Sequence, residues 1–391
     1  MKTLISPRNF RAALPSLVVS ATCFFSAAAS GQVTFTGLGT AVTFATGVSD
    51  DGQYVSGVGY HEPDGTGPAS TFGAVRWSAG GGSQSLGNPA GSSSTWASGI
   101  SADGSVVVGT IYGSTAQAYR WTAETGMVDL GTLPGAYYAS AKGVSGDGSV
   151  VIGDALFPAP DQHFEAYRWT QGSGNVSLGS LGPGTVSAFT ISRDGSTIVG
   201  GTVGDAFRWT EATGMQAIGG GSLLATAVSS NGNQIGGVGT ALSSENGFLW
   251  SETGGFIDLG YDHIPRVISN DGSFVLGNNF AWTPESGIRS LLGVLREDYG
   301  LESEMAGWTF LLPFAMSTDG RFVVGMGYKK NVQEGWLLDL GLNPPDILPP
   351  GPIVVSPIPE PAVIGGAGAT LLGGLLVSRF LARRSRPQAP A

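Results

Sequence analysis

The chain has 391 residues, 64 of them Gly and 22 Pro, while Asp, Glu, Lys and Arg together make up 12% against roughly 25% in ordinary globular proteins. A hydrophobic content of 41% excludes a natively disordered chain, because that much apolar surface offsets the entropy of ordering. Seven of the basic residues sit in the two ends, leaving a middle with 12 basic and 27 acidic side chains, net −15, a surface that repels phosphate backbones, so no nucleic-acid partner is expected.

Residues 1–30 carry Lys2, Arg8 and Arg11 with no acid, then an apolar stretch from Ala12 to Ala29 that ends in Ala27-Ala28-Ala29. That order predicts a secretory signal peptide. Cys23, the only cysteine, lies inside it, and Ser20-Ala21-Thr22 lacks the aliphatic residue of a lipoprotein box. The exported chain therefore has no disulfide to lean on, and its core has to supply its stability.

From residue 32 to 343 one unit recurs seven times. Its most regular part is Gly47–Gly57 (GVSDDGQYVSG), Gly99–Gly109 (GISADGSVVVG), Gly143–Gly153 (GVSGDGSVVIG), Thr190–Gly200 (TISRDGSTIVG), Ala227–Gly237 (AVSSNGNQIGG), Val267–Gly277 (VISNDGSFVLG) and Ala315–Gly325 (AMSTDGRFVVG). Asp-Gly or Asn-Gly between two β-rich runs predicts a tight hairpin, strands a and b. Trp77, Trp121, Trp169, Trp209, Trp250, Trp282 and Trp336 mark a strand c, and a Gly-bounded turn leads to a short strand d ending in Leu-Gly or Ile-Gly. The seventh unit lacks its d strand, and QVTFTGLG at Gln32–Gly39 has the right ending to supply it. Closure of that kind removes an open sheet edge. The fold expected is all-β, a seven-bladed β-propeller of four-stranded antiparallel blades closed by an N-terminal strand. A β-solenoid is the alternative, with rungs that are usually shorter and no need of a donated strand. After Trp282, Leu291, Leu292, Val294, Leu295 and Tyr299 fit one face of a short helix, and Trp308 anchors the strand that resumes. The unit GVSADGSVVVG…AYRWTAETGMVDLGTLPG resembles the bacterial extracellular HAF repeats, a resemblance that implies secretion and brings no catalytic residue.

Residues 344–358 are a Pro-rich linker, an extended stalk by composition. Pro359, Glu360 and Pro361 follow, then the uncharged run 362–378 and the cluster Arg379, Arg383, Arg384 and Arg386. The run predicts a C-terminal transmembrane helix, short for a roughly 30 Å hydrocarbon core unless Arg379 snorkels, with the basic cluster cytoplasmic. Residues 359–391 closely resemble the PEP-CTERM sorting signal of Gram-negative bacteria, with IPEPA in place of the commoner VPEPA. The resemblance implies an exosortase-type processing enzyme as partner, tethering to the inner membrane before processing, and delivery to the cell surface or extracellular matrix afterwards.

Candidate chemistry is sparse. Asp51, Asp103, Asp147, Asp194, Asp271 and Asp319 belong to the hairpin turns, and Asn231 replacing one of them keeps the turn without the charge, so their role reads as structural. The turn pattern matches neither a calcium loop nor a sialidase Asp-box, and no nucleophile elbow or phosphate-binding loop occurs in the mature segment. No catalytic residue, metal or cofactor is assigned. The a-to-b and c-to-d turns share one rim; the variable b-to-c and d-to-a connections on the other carry His61, Glu62, Asp64, Trp96, Tyr137, Tyr138, Asp161, His163, Glu165, Tyr261, Asp262 and His263, with Lys329 and Lys330. Variable loops on one end of a scaffold are where ligands bind. Aromatic faces beside carboxylates suit carbohydrate. The three histidines with their acids would make a metal set only if loops of units 1, 3 and 5 converged, and solvated loop side chains are the alternative. The function expected is a cell-surface or matrix protein that binds an extracellular polysaccharide or a surface protein through this rim, the alternative being a hydrolase or lyase acting on extracellular polysaccharide.

Overall fold

The structure, a computed structural model, describes residues 32–61, 71–219, 223–239 and 245–341. The signal peptide, the stalk and the sorting signal with Pro359, Glu360 and Pro361 lie outside the described residues. Among the described residues no helix is long and apolar enough to cross a membrane.

Each sequence unit becomes one four-stranded antiparallel sheet, and there are seven. In blade 2 the strands are Ser94–Ile100 (a), Val106–Tyr112 (b), Ala116–Thr122 (c) and Gly126–Asp129 (d), hydrogen-bonded in that order. The a strands stand innermost around a central channel, and blade 7 packs back onto blade 1. This is a seven-bladed β-propeller.

Blade 7 takes its outer strand from the other end of the chain. Thr34–Gly37 pairs antiparallel with Val332–Asp339, from Thr34 opposite Asp339 to Gly37 opposite Trp336. Phe35 anchors it, 5.2 Å edge-on from Trp308 and 5.7 Å stacked against Trp336, and both tryptophans are buried. The helix expected after Trp282 forms as one turn at Leu291–Gly293 continuing into a π-helical segment, Val294–Asp298; Leu291, Leu292, Val294 and Leu295 are buried and Tyr299 is half-buried.

The turns repeat one hydrogen-bond pattern. Ser101 Oγ donates to Asp103 Oδ1 at 2.6 Å and accepts from Val106 N, while the same carboxylate oxygen accepts from Ser105 N at 3.0 Å. Gly104 takes the left-handed conformation (φ 72°) the turn demands. Asn231 reproduces the Asp contacts with Ser229 Oγ and Asn233 N. The turn acids are therefore scaffold.

The residue between turn Ser and turn Asp links neighbouring blades. Asp50 N donates to Ala102 O, Ala102 N to Gly146 O, and Gly146 N to Arg193 O, each at 2.7 Å. Arg193, from the turn of blade 4, then reaches across the turn end of the channel: its Nη1 donates to Ile100 O in blade 2 and its Nη2 to Val48 O and Asp50 Oδ1 in blade 1. Asp50 Oδ1 also accepts from Thr318 N of blade 7. One guanidinium and one carboxylate thus tie four blades together and floor the channel.

Two outcomes follow from this packing. Phe35→Ala, which empties the space between two buried tryptophans, should lower unfolding free energy by about 3–5 kcal/mol, measured by urea denaturation. Arg193→Met should cost about 1–3 kcal/mol, reduced from the value of a fully buried pair because Asp50 is partly exposed, and a double-mutant cycle with Asp50→Asn should show the two effects to be strongly non-additive.

Candidate functional site

In every a strand the ladder to strand b slips by one residue at the same place. In blade 3 Ala141 pairs with Gly153 and Gly143 with Ile152, so Lys142 is left over as a β-bulge. The leftover residues in blades 1 to 7 are Thr46, Ser98, Lys142, Phe189, Thr226, Arg266 and Phe314. A bulge frees its extra residue from the ladder and re-aims the side chain, and all seven line the channel. The strand-b glycine just before the slip permits the close approach: a Cβ on Gly109 would lie 1.8 Å from Trp96 O, and one on Gly153 1.9 Å from Ser140 O.

The channel has a cavity volume of about 320 Å³. At the Asp-Gly turn end Arg193, paired with Asp50, reaches across it; towards the opposite rim Phe44 and Trp96, whose rings are 5.2 Å apart, form part of a collar, and Phe189 and Phe314 lie below them. Among the described residues no carboxylate lines it, and its cations are Lys142, Arg193 and Arg266. Arg193 is paired with Asp50. Arg266 gives its Nε to Asn278 Oδ1 at 3.0 Å, and burial, more than the countering Asp262 charge, draws its pKa down. Lys142 makes no hydrogen bond or ion pair with the described residues. It interacts with the charge of Asp154 on the adjoining b strand, a buried carboxylate that accepts from Ala188 N at 2.9 Å and that burial raises to about 6.

The residues singled out on the variable rim fall on different blades. Trp96 belongs to the channel collar. Asp161, His163 and Glu165 form one local group in blade 3: His163 Nδ1 meets Asp161 O at 2.6 Å, its Nε2 meets Glu165 Oε1 at 3.2 Å, and its ring stacks on Phe157. The hydrogen bond to Asp161, then that to Glu165, holds the imidazole pKa above its usual value. Tyr137 is exposed and accepts from Gln162, whereas Tyr138 packs edge-on against Phe164 and burial pushes its phenol up. Tyr261 is 67% exposed beside Asp262, and His263 turns inward, Nδ1 2.9 Å from Leu259 O and ring against Phe280. Lys330 and Asn331 form the left-handed b-to-c turn of blade 7, next to Lys329. Glu62, Asp64 and the His61 side chain lie outside the described residues. Among the described residues no three His, Cys, Asp or Glu side chains gather as a metal set.

Lys142, Arg266, Phe189 and Phe314 escape a reading of loops because they lie inside strands. One signal does mark them. Three residues before the turn Ser, in a segment otherwise nearly fixed, the seven units hold Thr, Ser, Lys, Phe, Thr, Arg and Phe.

No protein-family model and no curated protein matches the sequence. Among solved structures, the chain is similar to oligogalacturonate lyase from Vibrio parahaemolyticus, with 11% identity, a TM-score of 0.53, and coverage of 80% of this chain and 99% of that one. It is also similar to an oligogalacturonate lyase in complex with manganese, at 14% identity, a TM-score of 0.51 and coverage of 80% and 94%. TolB from Acinetobacter baumannii matches at 15% identity and a TM-score of 0.43 over 74% of this chain, which spans 64% of the TolB chain. The lyase likenesses concern the propeller fold.

Asp154 gives a pH signature. Its folded pKa is raised, so folding favours the protonated form, and its contribution to stability declines as pH rises from about 4 to about 6. Asp154→Asn should raise stability at pH 7.5 by on the order of 3 kcal/mol and change it little at roughly pH 4, read from thermal unfolding at the two pH values.

Proposed function

We propose that this protein is an exported cell-surface or extracellular-matrix propeller that binds a glycan in the mouth of its central channel, without cleaving it. The observation that supports this most is a central channel with aromatic rings towards one rim and one bulged side chain from each of seven blades in its lining. Sugar rings stack on aromatic faces; the Ser98 hydroxyl can exchange hydrogen bonds with sugar hydroxyls, and those of Thr46 and Thr226, which donate to Ser56 O and Pro265 O, can accept from them. A volume of about 320 Å³ is at the lower end of the range of small-ligand sites, which suits a chain end or a side branch.

The two ends of the sequence support the address. A signal peptide at 1–30 would bring the chain to the export machinery, and the PEP-CTERM-like segment 359–391 would hold it in the inner membrane until an exosortase-type enzyme releases it to the surface.

A second reading, an extracellular polysaccharide lyase or hydrolase, is favoured by the fold likeness to two structures named as oligogalacturonate lyases. The described residues do not supply a ligand set for the manganese that one of those complexes contains.

Incubating the purified protein with a panel of polysaccharides separates the readings. Binding is expected to be saturable, with no release of reducing or unsaturated ends, and Trp96→Ala is expected to weaken it about two- to tenfold. Released chain ends that disappear when channel or rim side chains are removed would establish the lyase or hydrolase reading instead. A protein partner bound with no saturable glycan would overturn both.

A further inference from the structure

We propose that the glycan taken by the channel is acidic, a uronate-bearing saccharide whose carboxylate is met by Lys142 and Arg266 from across the lumen. This rests on the glycan reading of the same channel and names its chemical class.

The charge distribution carries the inference. The whole chain is formally −10, and a channel through so acidic a body would be expected to share that sign. Among the described residues the lining instead contains three cations and no carboxylate. Subtracting the Arg193–Asp50 pair that floors the channel leaves Lys142 and Arg266 without an ion-pair partner among the described residues. Both occupy the bulge position, in blades 3 and 6, three blades apart in a ring of seven. Their side chains therefore approach the lumen from nearly opposite walls.

Neither cation is needed where it is for packing or for an internal salt bridge. Five other blades build the same bulge with Thr, Ser or Phe. Arg266 spends only Nε on Asn278, which leaves the terminal nitrogens of its guanidinium as donors, and burial presses against its charge. A desolvated cation without an ion-pair partner, as Arg266 is, is costly, and an anion that binds beside it relieves the cost. A bidentate Arg–carboxylate contact is the strong form of that interaction.

The rest of the lining selects among anions. Phosphate or sulfate alone would leave Trp96, Phe189 and Phe314 unused, whereas a sugar acid presents a ring face to the aromatics and a carboxylate to the cations. The Ser98 hydroxyl, and the hydroxyl oxygens of Thr46 and Thr226 as acceptors, suit the ring hydroxyls that both acidic and neutral sugars carry. The cations alone distinguish the two.

The test is calorimetric titration of the purified full chain with a galacturonate oligosaccharide, a neutral galactose oligosaccharide of equal length, and inorganic phosphate as competitor. The acidic oligosaccharide is expected to bind at least tenfold tighter than the neutral one, to weaken as salt rises, and to resist phosphate at equal concentration. Lys142→Met and Arg266→Met should each weaken it tenfold or more, while Lys142→Arg, which keeps the charge, should retain binding within about threefold. Should Arg266→Met fail to fold, as its thermal unfolding would show, Lys142→Met decides, since Lys142 has no hydrogen bond to lose. Equal binding of both oligosaccharides, acidic binding undiminished in Lys142→Met, or displacement by phosphate overturns the inference and leaves a glycan-binding channel standing. Failure of every polysaccharide to bind removes the glycan reading itself.

Discussion

Ring closure is the constraint on which everything else in the molecule rests. A propeller blade buries its two faces only against its neighbours, so a ring with one unfinished blade exposes an edge and loosens the whole core. Here four residues, Thr34–Gly37, finish blade 7 with material from the opposite end of the chain. The pairing is long-range and made of short-range parts: a few ladder hydrogen bonds and one phenylalanine lodged between Trp308 and Trp336. The Arg193–Asp50 contact does the same at the channel floor, joining blades 4, 2, 1 and 7 through two side chains. Both devices convert a row of locally folded units into a closed object.

Closure also creates the channel, and the repeated bulge decides what it contains. Side chains of an inner strand alternate between the two faces that pack on adjacent blades, which commits them to the core. An extra residue that leaves the ladder is free of that commitment. The same slip in all seven blades gives one free position per blade, and the sequence varies there while the flanking Ala or Pro and the opposing glycine stay small. A uniform scaffold thus presents a seven-membered, non-uniform lining, with two cations set among aromatics and hydroxyls. Asp154, buried next to Lys142, couples its own ionisation to that lining.

Much of the architecture is legible in the residues. Asp-Gly turns with their serine, the tryptophan strand, and the orphan strand at Gln32–Gly39 lead to seven blades and to the manner of closure, because each rests on local chemistry that repeats. The turn acids are legible as scaffold through one substitution, Asn231. The site is legible only in part. Trp96 is in the channel collar, but His163 makes its contacts within its own loop, and His263 folds against Phe280. Lys142 and Arg266 are marked in the sequence only as a variable position three before the turn Ser, because period-two alternation assigns strand residues to packed faces and contains no sign of a bulge.

The sequence by itself determined the number of units, the order of strands within each, the place where the ends meet, and the acidic cast of the exterior. All of these follow from turn chemistry, periodicity and composition, which act over a few residues or over the whole chain. Tertiary structure decided which positions share the lumen, that Arg193 reaches Asp50 over a sequence separation of 143 residues, and that two cations stand in the channel without an ion-pair partner among the described residues. Those facts depend on a register slip and on ring geometry, which place residues from seven distant segments around one axis.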